Sequence, residues 1–313
     1  MKARMYKAGI ATTAVALGAS IFGLTAGASA ADANDAVVTK LSVAKGSTLG
    51  GTVVTITGKK FTGTTDVEFG ATAATSFLIV SDTQIVAKAP VGSGTVQVKV
   101  TNATTNESAN TAADDFAYIQ PINAVVAAGT LLNPLGKSVL TITPAGTGLT
   151  AMGADKDAFK GLKVTATVNG AVAQVAWGSA TTVKVTVPAG TPSATGASVV
   201  LLRDGVAGAA DTNAKYAAVI TKLSKTSGGV AADAAGTITV TGKGLTTATG
   251  LTFGATAVTG SCTHGTGTKL DTEYTCTGIP AGTGSVAVKA TFPASTITYG
   301  TLPTAAYTFS DVS

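Results

Sequence analysis

The sequence predicts an all-β protein: three tandem β-sandwich domains behind a cleaved signal peptide. Three observations predict the sandwiches. The first is alternation. In Val53-Val54-Thr55-Ile56-Thr57, Val54 and Ile56 point one way and Thr55 and Thr57 the other, the period of a strand with one buried face. The second is punctuation. Val, Ile and Thr, which favour pleated surfaces, fill intervals that Gly and Pro close about every ten residues. The third is repetition. Thr39-Lys40-Leu41-Ser42 returns as Thr221-Lys222-Leu223-Ser224, and Thr55-Ile56-Thr57-Gly58-Lys59 as Thr239-Val240-Thr241-Gly242-Lys243. Phe69-Gly70-Ala71-Thr72-Ala73 returns as Phe253-Gly254-Ala255-Thr256-Ala257, and Pro90-Val91-Gly92 as Pro280-Ala281-Gly282. Ordered matches at a nearly constant spacing mark an internal repeat.

Half that spacing is the length of a small sandwich domain, so a middle copy is expected. Its outline is present. Ser138 to Thr143 reads as its first strand, and Val168-Asn169-Gly170-Ala171 stands where Phe-Gly-Ala-Thr stood. Val183 to Gly190 matches the strand running into the proline, and Ala197 to Gly205 the strand after it. The other copies lack the insertion 148–161, whose Asp155-Lys156-Asp157-Ala158-Phe159-Lys160 is the one mildly helical stretch. The expected division is 31–120, 121–219 and 220–313. The joints at Tyr118–Ile122 and Tyr216–Ile220 are short and apolar, which predicts a stiff row rather than a loose string.

Residues 1–30 read as an export signal. Lys2, Arg4 and Lys7 precede an uncharged run from Ala8 to Leu24, and Ala28-Ser29-Ala30 offers a small-x-small cleavage site. The alternative is a retained anchor, for which the run is short. After cleavage no membrane span is expected. The formal charge of +5 includes those three basic residues, so the exported part is close to neutral. No Lys/Arg run of the kind that tracks phosphates stands out, and no nucleic-acid partner is expected. Only 12% of the chain is charged, so Thr, Ser, Ala and Gly must cover its surface.

The first copy resembles an IPT/TIG domain, an immunoglobulin-like module of the early-set type. The residues that carry the likeness run in order: Leu41-Ser42, Gly46 to Gly58, Phe61, Val67 to Gly70, Ser81-Asp82-Thr83-Gln84-Ile85, Ala89-Pro90 and Phe116-Ala117-Tyr118. The third copy keeps the first half and the proline, and the middle copy keeps the outline. The resemblance implies a seven-stranded sandwich. It also implies modules that space, bind or assemble in bacterial surface proteins, adhesins and carbohydrate-active enzymes, but it does not by itself assign a function.

Candidate chemistry is sparse. Cys262 and Cys276 are the only cysteines, and in an exported chain they read as a structural disulfide rather than as metal ligands with His264. Aligned on the first copy, Cys262 falls near Phe77 and Cys276 near Val86, on consecutive strands. His264, the only histidine, reads as an exposed loop residue. Asp114-Asp115 reads as a solvated turn, with a calcium site as its alternative. Glu68, Glu107 and Glu273 are the only glutamates, and no carboxylate pair, nucleophile elbow or nucleophile-base pair is recognisable. No enzyme, cofactor or metal is therefore expected. Trp177, the single tryptophan, aligns with Phe77. It reads as a core residue, with stacking on a sugar ring as the alternative. The insertion 148–161 is the first place to look for binding, because loops at the ends of a sandwich tolerate variation.

The expected function is a non-catalytic, secreted structural or adhesive protein of the bacterial cell surface, such as a subunit of a surface layer or filament. Its partners would be copies of itself or cell-envelope proteins. The alternative is an extracellular polysaccharide-binding protein, with Trp177 as the contact.

Overall fold

The computed structural model of the 313-residue chain describes residues 35–102, 107–293, 301–302 and 305–310. The expected export signal lies outside the described residues. What is described is all-β apart from one short α-helix and one 3-10 turn.

The N-terminal region contains β1 (Val37–Leu41), β2 (Lys45–Ser47), β3 (Val53–Lys59), β4 (Thr64–Phe69), β5 (Thr72–Ala73), β6 (Ser76–Ser81), β7 (Gln84–Lys88), β8 (Gly94–Asn102) and β9 (Asp115–Ile119). They form two facing sheets, β1-β3-β7-β6 and β2-β9-β8-β4-β5. The expected seven strands become nine because two of them change sheets. β1 pairs with β3, then β2 crosses to run parallel to β9; β5 pairs with β4, then β6 crosses to β7. Val54, Ile56, Phe61, Ile85, Val98, Val100 and Phe116 fill the space between the sheets with no exposure.

The middle region contains β10 (Leu131–Leu132), β11 (Val139–Ile142), α1 (Lys156–Gly161), β12 (Val164–Val168), β13 (Ala171–Ser179), β14 (Thr182–Thr186), β15 (Val199–Arg203), β16 (Val206–Ala207) and β17 (Lys215–Tyr216). Here β13 is continuous, so the two sheets join into one run, β11-β14-β13-β12-β15-β16, with β10 and β17 paired alongside.

The C-terminal region contains β18 (Ala218–Leu223), β19 (Ser227–Gly228), β20 (Asp233–Lys243), β21 (Gly250–Phe253), β22 (Thr256–Ala257), β23 (Cys262–His264), β24 (Glu273–Ile279), β25 (Gly284–Thr291), β26 (Thr301–Leu302) and β27 (Ala306–Phe309). Two sheets form again, β23-β24-β20-β18-β26 and β19-β27-β25-β21-β22.

The repeated motifs have a physical cause. Ser42 Oγ accepts a bond from Thr55 N at 2.9 Å, and Ser224 Oγ accepts one from Thr239 N at 2.9 Å. Thr39 Oγ1 donates to Thr57 O, and Thr221 Oγ1 to Thr241 O, both at 3.1 Å. Each Thr-Lys-Leu-Ser thus ties β1 to β3 or β18 to β20 at the same two points, beside a bulge in the same place. The Pro-x-Gly motif is also explained. A Cβ on Gly92, Gly190 or Gly282 would overlap the ring of Tyr118, Tyr216 or Phe309 respectively, so the final strand's aromatic can close the sandwich only over glycine. This contact is present in all three regions, including the middle one, where sequence similarity is weakest.

Each region has its own core. One cluster runs from Ala36 to Tyr118, a second from Ile122 to Tyr216, and a third from Ile220 to Phe309. The first and third share an aromatic triad: Phe69, Phe116 and Tyr118 in one, Phe253, Tyr307 and Phe309 in the other. Neighbouring rings lie 5.0–6.0 Å apart. In the middle region Val168 and Ala214 take the places of the first two rings. The insertion compensates, since its Met152 and Phe159 are both buried in the middle core.

The joints are bonded rather than bare. Lys45 Nζ reaches Asp204 Oδ1 at 2.8 Å, and Arg203 Nη1 donates to Gln120 O at 3.3 Å. Further along, Lys243 Nζ donates to Pro134 O at 3.2 Å, and Ala217 and Ala218 are fully buried beside Leu131 and Phe292.

Candidate binding cleft of the middle region

The site begins with strand register. β13 pairs with β12 only through Ala171, Val172 and Ala173, and from Gln174 onward it pairs with β14. The two strands therefore diverge, and the edge of β13 past Gln174 has no strand partner on the β12 side. In the resulting gap lies a cleft of about 650 Å³, lined by Lys156, Phe159, Lys160, Lys163, Val164, Val175, Ala176, Trp177 and Lys184. Its volume is within the range of small-molecule sites.

Helix α1 forms one wall. Asp155 caps it, its Oδ1 accepting from Ala158 N at 2.8 Å. Lys156, Phe159 and Lys160 have the i, i+3, i+4 spacing that puts residues on neighbouring positions of one helical face, and Lys163 follows in the turn after the helix. The helix ends before Lys163, which has φ of +52°, and Leu162 N and Lys163 N bond back to Phe159 O and Lys160 O. Phe159 is buried and fixes the helix to the core. Opposite stands Trp177, half-buried and packed against the same core. Its Nε1 donates to Gly153 O at 3.3 Å, tying the insertion to the strand. Lys184 pairs across the sheet with Ala176 and is exposed.

The electrostatics are one-sided. None of the lining residues carries a carboxylate. Lys163 Nζ lies 3.6 Å from Asp204 Oδ1, the atom that also meets Lys45. The hydrogen bond from Lys45, with the charge of Lys163 nearby, holds the Asp204 carboxyl below the usual carboxylate range. Lys156, Lys160 and Lys184 form no ion pair among the described residues.

The structure places the sequence-derived candidates as follows. Cys262 and Cys276 face each other across β23 and β24 and form the expected disulfide, with Cα atoms 4.1 Å apart. Trp177 packs on the core and also lines the cleft, so the two readings of it are not exclusive. Register corrects its alignment. Trp177 pairs with Val183 as Ile79 pairs with Ile85, so Trp177 matches Ile79, and Val175 matches Phe77. His264 is not an exposed loop residue. It lies in β23, its ring 4.6 Å from Tyr274, and its Nε2 is buried without a hydrogen-bond partner. Asp114 is not a solvated turn residue either. It is fully buried, its carboxylate accepts from Thr111 N, and burial raises its pKa. Lys99 draws two of the three glutamates together, lying 2.8 Å from Glu107 and 3.7 Å from Glu68. Among the described residues no group of three or more His, Cys, Asp or Glu is placed to hold a metal ion.

The lysines are what sequence reading missed. No run of basic residues stands out, because the fold assembles this group from α1, the turn after it and β14. The helical spacing of Lys156 and Lys160, with Lys163 close behind, was the available signal.

The described residues thus form three β-sheet regions in succession, each with its own core. Residues 36–118 match the model of the IPT/TIG domain, so the first module is an IPT/TIG domain. No curated protein matches the chain. Among solved structures, the plexin A4 extracellular region aligns with 87% of this chain and 25% of its own length, at 15% identity and a TM-score of 0.32. SGBP-B of the Bacteroides ovatus mixed-linkage glucan utilization locus, in complex with a mixed-linkage heptasaccharide, aligns over 85% of this chain and 65% of its own, at 14% identity and 0.25. The Escherichia coli adhesin FdeC aligns over 89% and 98%, at 14% identity and 0.24. The chain therefore spans less than two thirds of the first two. Likenesses this distant carry no argument about how the modules are arranged. No described helix is long and apolar enough to cross a membrane.

Proposed function

We propose that this is an exported, non-catalytic protein that works at the cell surface by contact, with its outer modules holding the middle one in place. The bonded joints carry this reading: Lys45 with Asp204 and Arg203 with Gln120 at one, Lys243 with Pro134 at the other. Modules clamped in this way transmit position, which a spacer or adhesin needs and a single binding domain does not. Export fits the basic start, the apolar run and the cleavage site of residues 1–30, and the disulfide is suited to an oxidising compartment. Self-association into a layer or filament is part of the same reading. Fractionating producing cells and imaging the purified protein by electron microscopy tests it. The expected result is envelope association with ordered assemblies; a cytoplasmic monomer would contradict it.

A second reading is favoured by one specific observation. Trp177 and Phe159 line a cleft of about 650 Å³ in the module that carries the insertion. On this reading the middle module binds extracellular polysaccharide, as neighbours of this fold do, among them the Bacteroides ovatus protein solved with its heptasaccharide.

A further inference from the structure

We infer that the middle-module cleft selects an acidic polysaccharide, its sugar face lying against Trp177 and its carboxylate or sulfate groups meeting Lys156, Lys160 and Lys184. The inference rests on the polysaccharide reading above and specifies the ligand chemistry.

Three observations carry it. The first is the concentration of charge. Four lysines line one cleft and no carboxylate does, in a chain where charged residues are only 12% of the whole. The second is the lack of internal partners. Asp155 and Asp157 are on the same helix, yet Asp155 caps Ala158 N and neither lines the cleft. Among the described residues only Lys163 of these four has an ion-pair partner, and that partner, Asp204, is shared with Lys45. Like charges held together without compensation repel one another, and a bound anion relieves that repulsion. The third is the apolar half of the wall. Trp177, Val164 and Val175 offer a flat surface to the C–H face of a pyranose, and Trp177 is held in place by its bond to Gly153 O. An aromatic wall beside a group of ammonium ions suits a ring that carries negative charge.

A nucleic acid is also anionic, but single-stranded nucleic acid is held by successive aromatics along a basic groove. Here one half-buried indole faces the cleft and Phe159 is buried.

The test is retention of the purified chain by affinity electrophoresis in gels containing polygalacturonate, dextran sulfate, neutral dextran or single-stranded DNA. The expected result is retention by polygalacturonate or dextran sulfate, with the stronger of the two identifying carboxylate or sulfate as the preferred group, and none by dextran. The Lys160→Ala/Lys184→Ala double variant should bind about tenfold more weakly with unchanged melting, because both side chains are exposed and each contributes a screened charge interaction. Raising salt from about 0.1 M to about 1 M, where the Debye length falls from ~10 Å to ~3 Å, should also release the polymer. Trp177→Phe, which keeps an apolar ring on the core, should weaken binding without unfolding the module. Equal retention by dextran and polygalacturonate, indifferent to the lysines, would overturn the acidic inference and leave the polysaccharide reading standing. Retention by no polysaccharide would remove both. Retention by acidic polymer that survives the lysine changes would place binding elsewhere, and preference for DNA would overturn the inference in favour of nucleic acid.

Discussion

The first and middle modules share a framework and differ in how β-strand four hands over to the next sheet. In the first module, β5 and β6 are separate strands, and Phe77 packs over the buried Ala87 that it faces across the sheet. In the middle module, β13 is unbroken, and the same cross-strand pair is Val175 with Val185. A valine fills less space than a phenylalanine, and the insertion returns to cover what is left. Two positions along, the first module has Ile79 and the middle one Trp177. The third module occupies the same two places with Cys262, bonded to Cys276, and with His264 on Tyr274. The chain's only disulfide, only tryptophan and only histidine therefore all fall on one stretch of one strand. The lesson is that the sandwich is held by Ser, Thr, Gly and the closing aromatic, while this edge is left free to vary.

Breaking the pair that differs should have the largest effect in the third module. Replacing Cys262 and Cys276 with alanine removes a crosslink between residues 14 apart, and should cost about 3 kcal/mol, lowering the melting of that module alone in calorimetry. Breaking what the modules share should have a similar but more uniform effect. Gly92→Ala, Gly190→Ala and Gly282→Ala each drive a methyl into a packed ring, and each should destabilise its own module by about 1–3 kcal/mol in chemical denaturation. If Gly190→Ala were neutral while the other two were not, the middle module would not close in the same way. Trp177→Ala should cost about 2 kcal/mol, below the roughly 3–5 kcal/mol of fully buried aromatic truncations because the ring is only half-buried, and it should also loosen the insertion through loss of the bond to Gly153. Ile79→Ala should destabilise without any such loosening, as proteolysis of the 148–161 segment would report.

The smallest effect concerns the joint. Asp204 has its pKa lowered, so the contribution of its ion pairs is present above the ordinary value of 3.8 and is lost as the pH falls through the lower folded value. Small-angle scattering should show the first two modules loosening at that acidic end. Asp204→Asn should reproduce the change at neutral pH, with little effect on melting.

Much of the fold was legible in the sequence because its determinants are local. Val54 and Ile56 announce a buried face by alternation, and Pro90-Val91-Gly92 announces a turn. The disulfide was legible because two cysteines in an exported chain are expected to pair. The cleft was not. Trp177 meets Gly153 across 24 residues, and Lys184 lines the same cleft as the helix because β13 leaves β12 at Gln174. Asp114 and His264 misled because short polar stretches read as exposed, whereas Asp114 is fully buried and His264 sets its ring on Tyr274 of the adjacent strand.

One framework is used three times, and the binding proposed for this protein lies on the middle module's varied edge. Hydrogen exchange of the full chain with and without polygalacturonate, resolved by peptide, tests it most directly. The account predicts slower exchange in residues 150–165 and 174–184, with the equivalent stretches 76–88 and 262–276 unchanged. Protection at either of those equivalents and none in the middle module would contradict it.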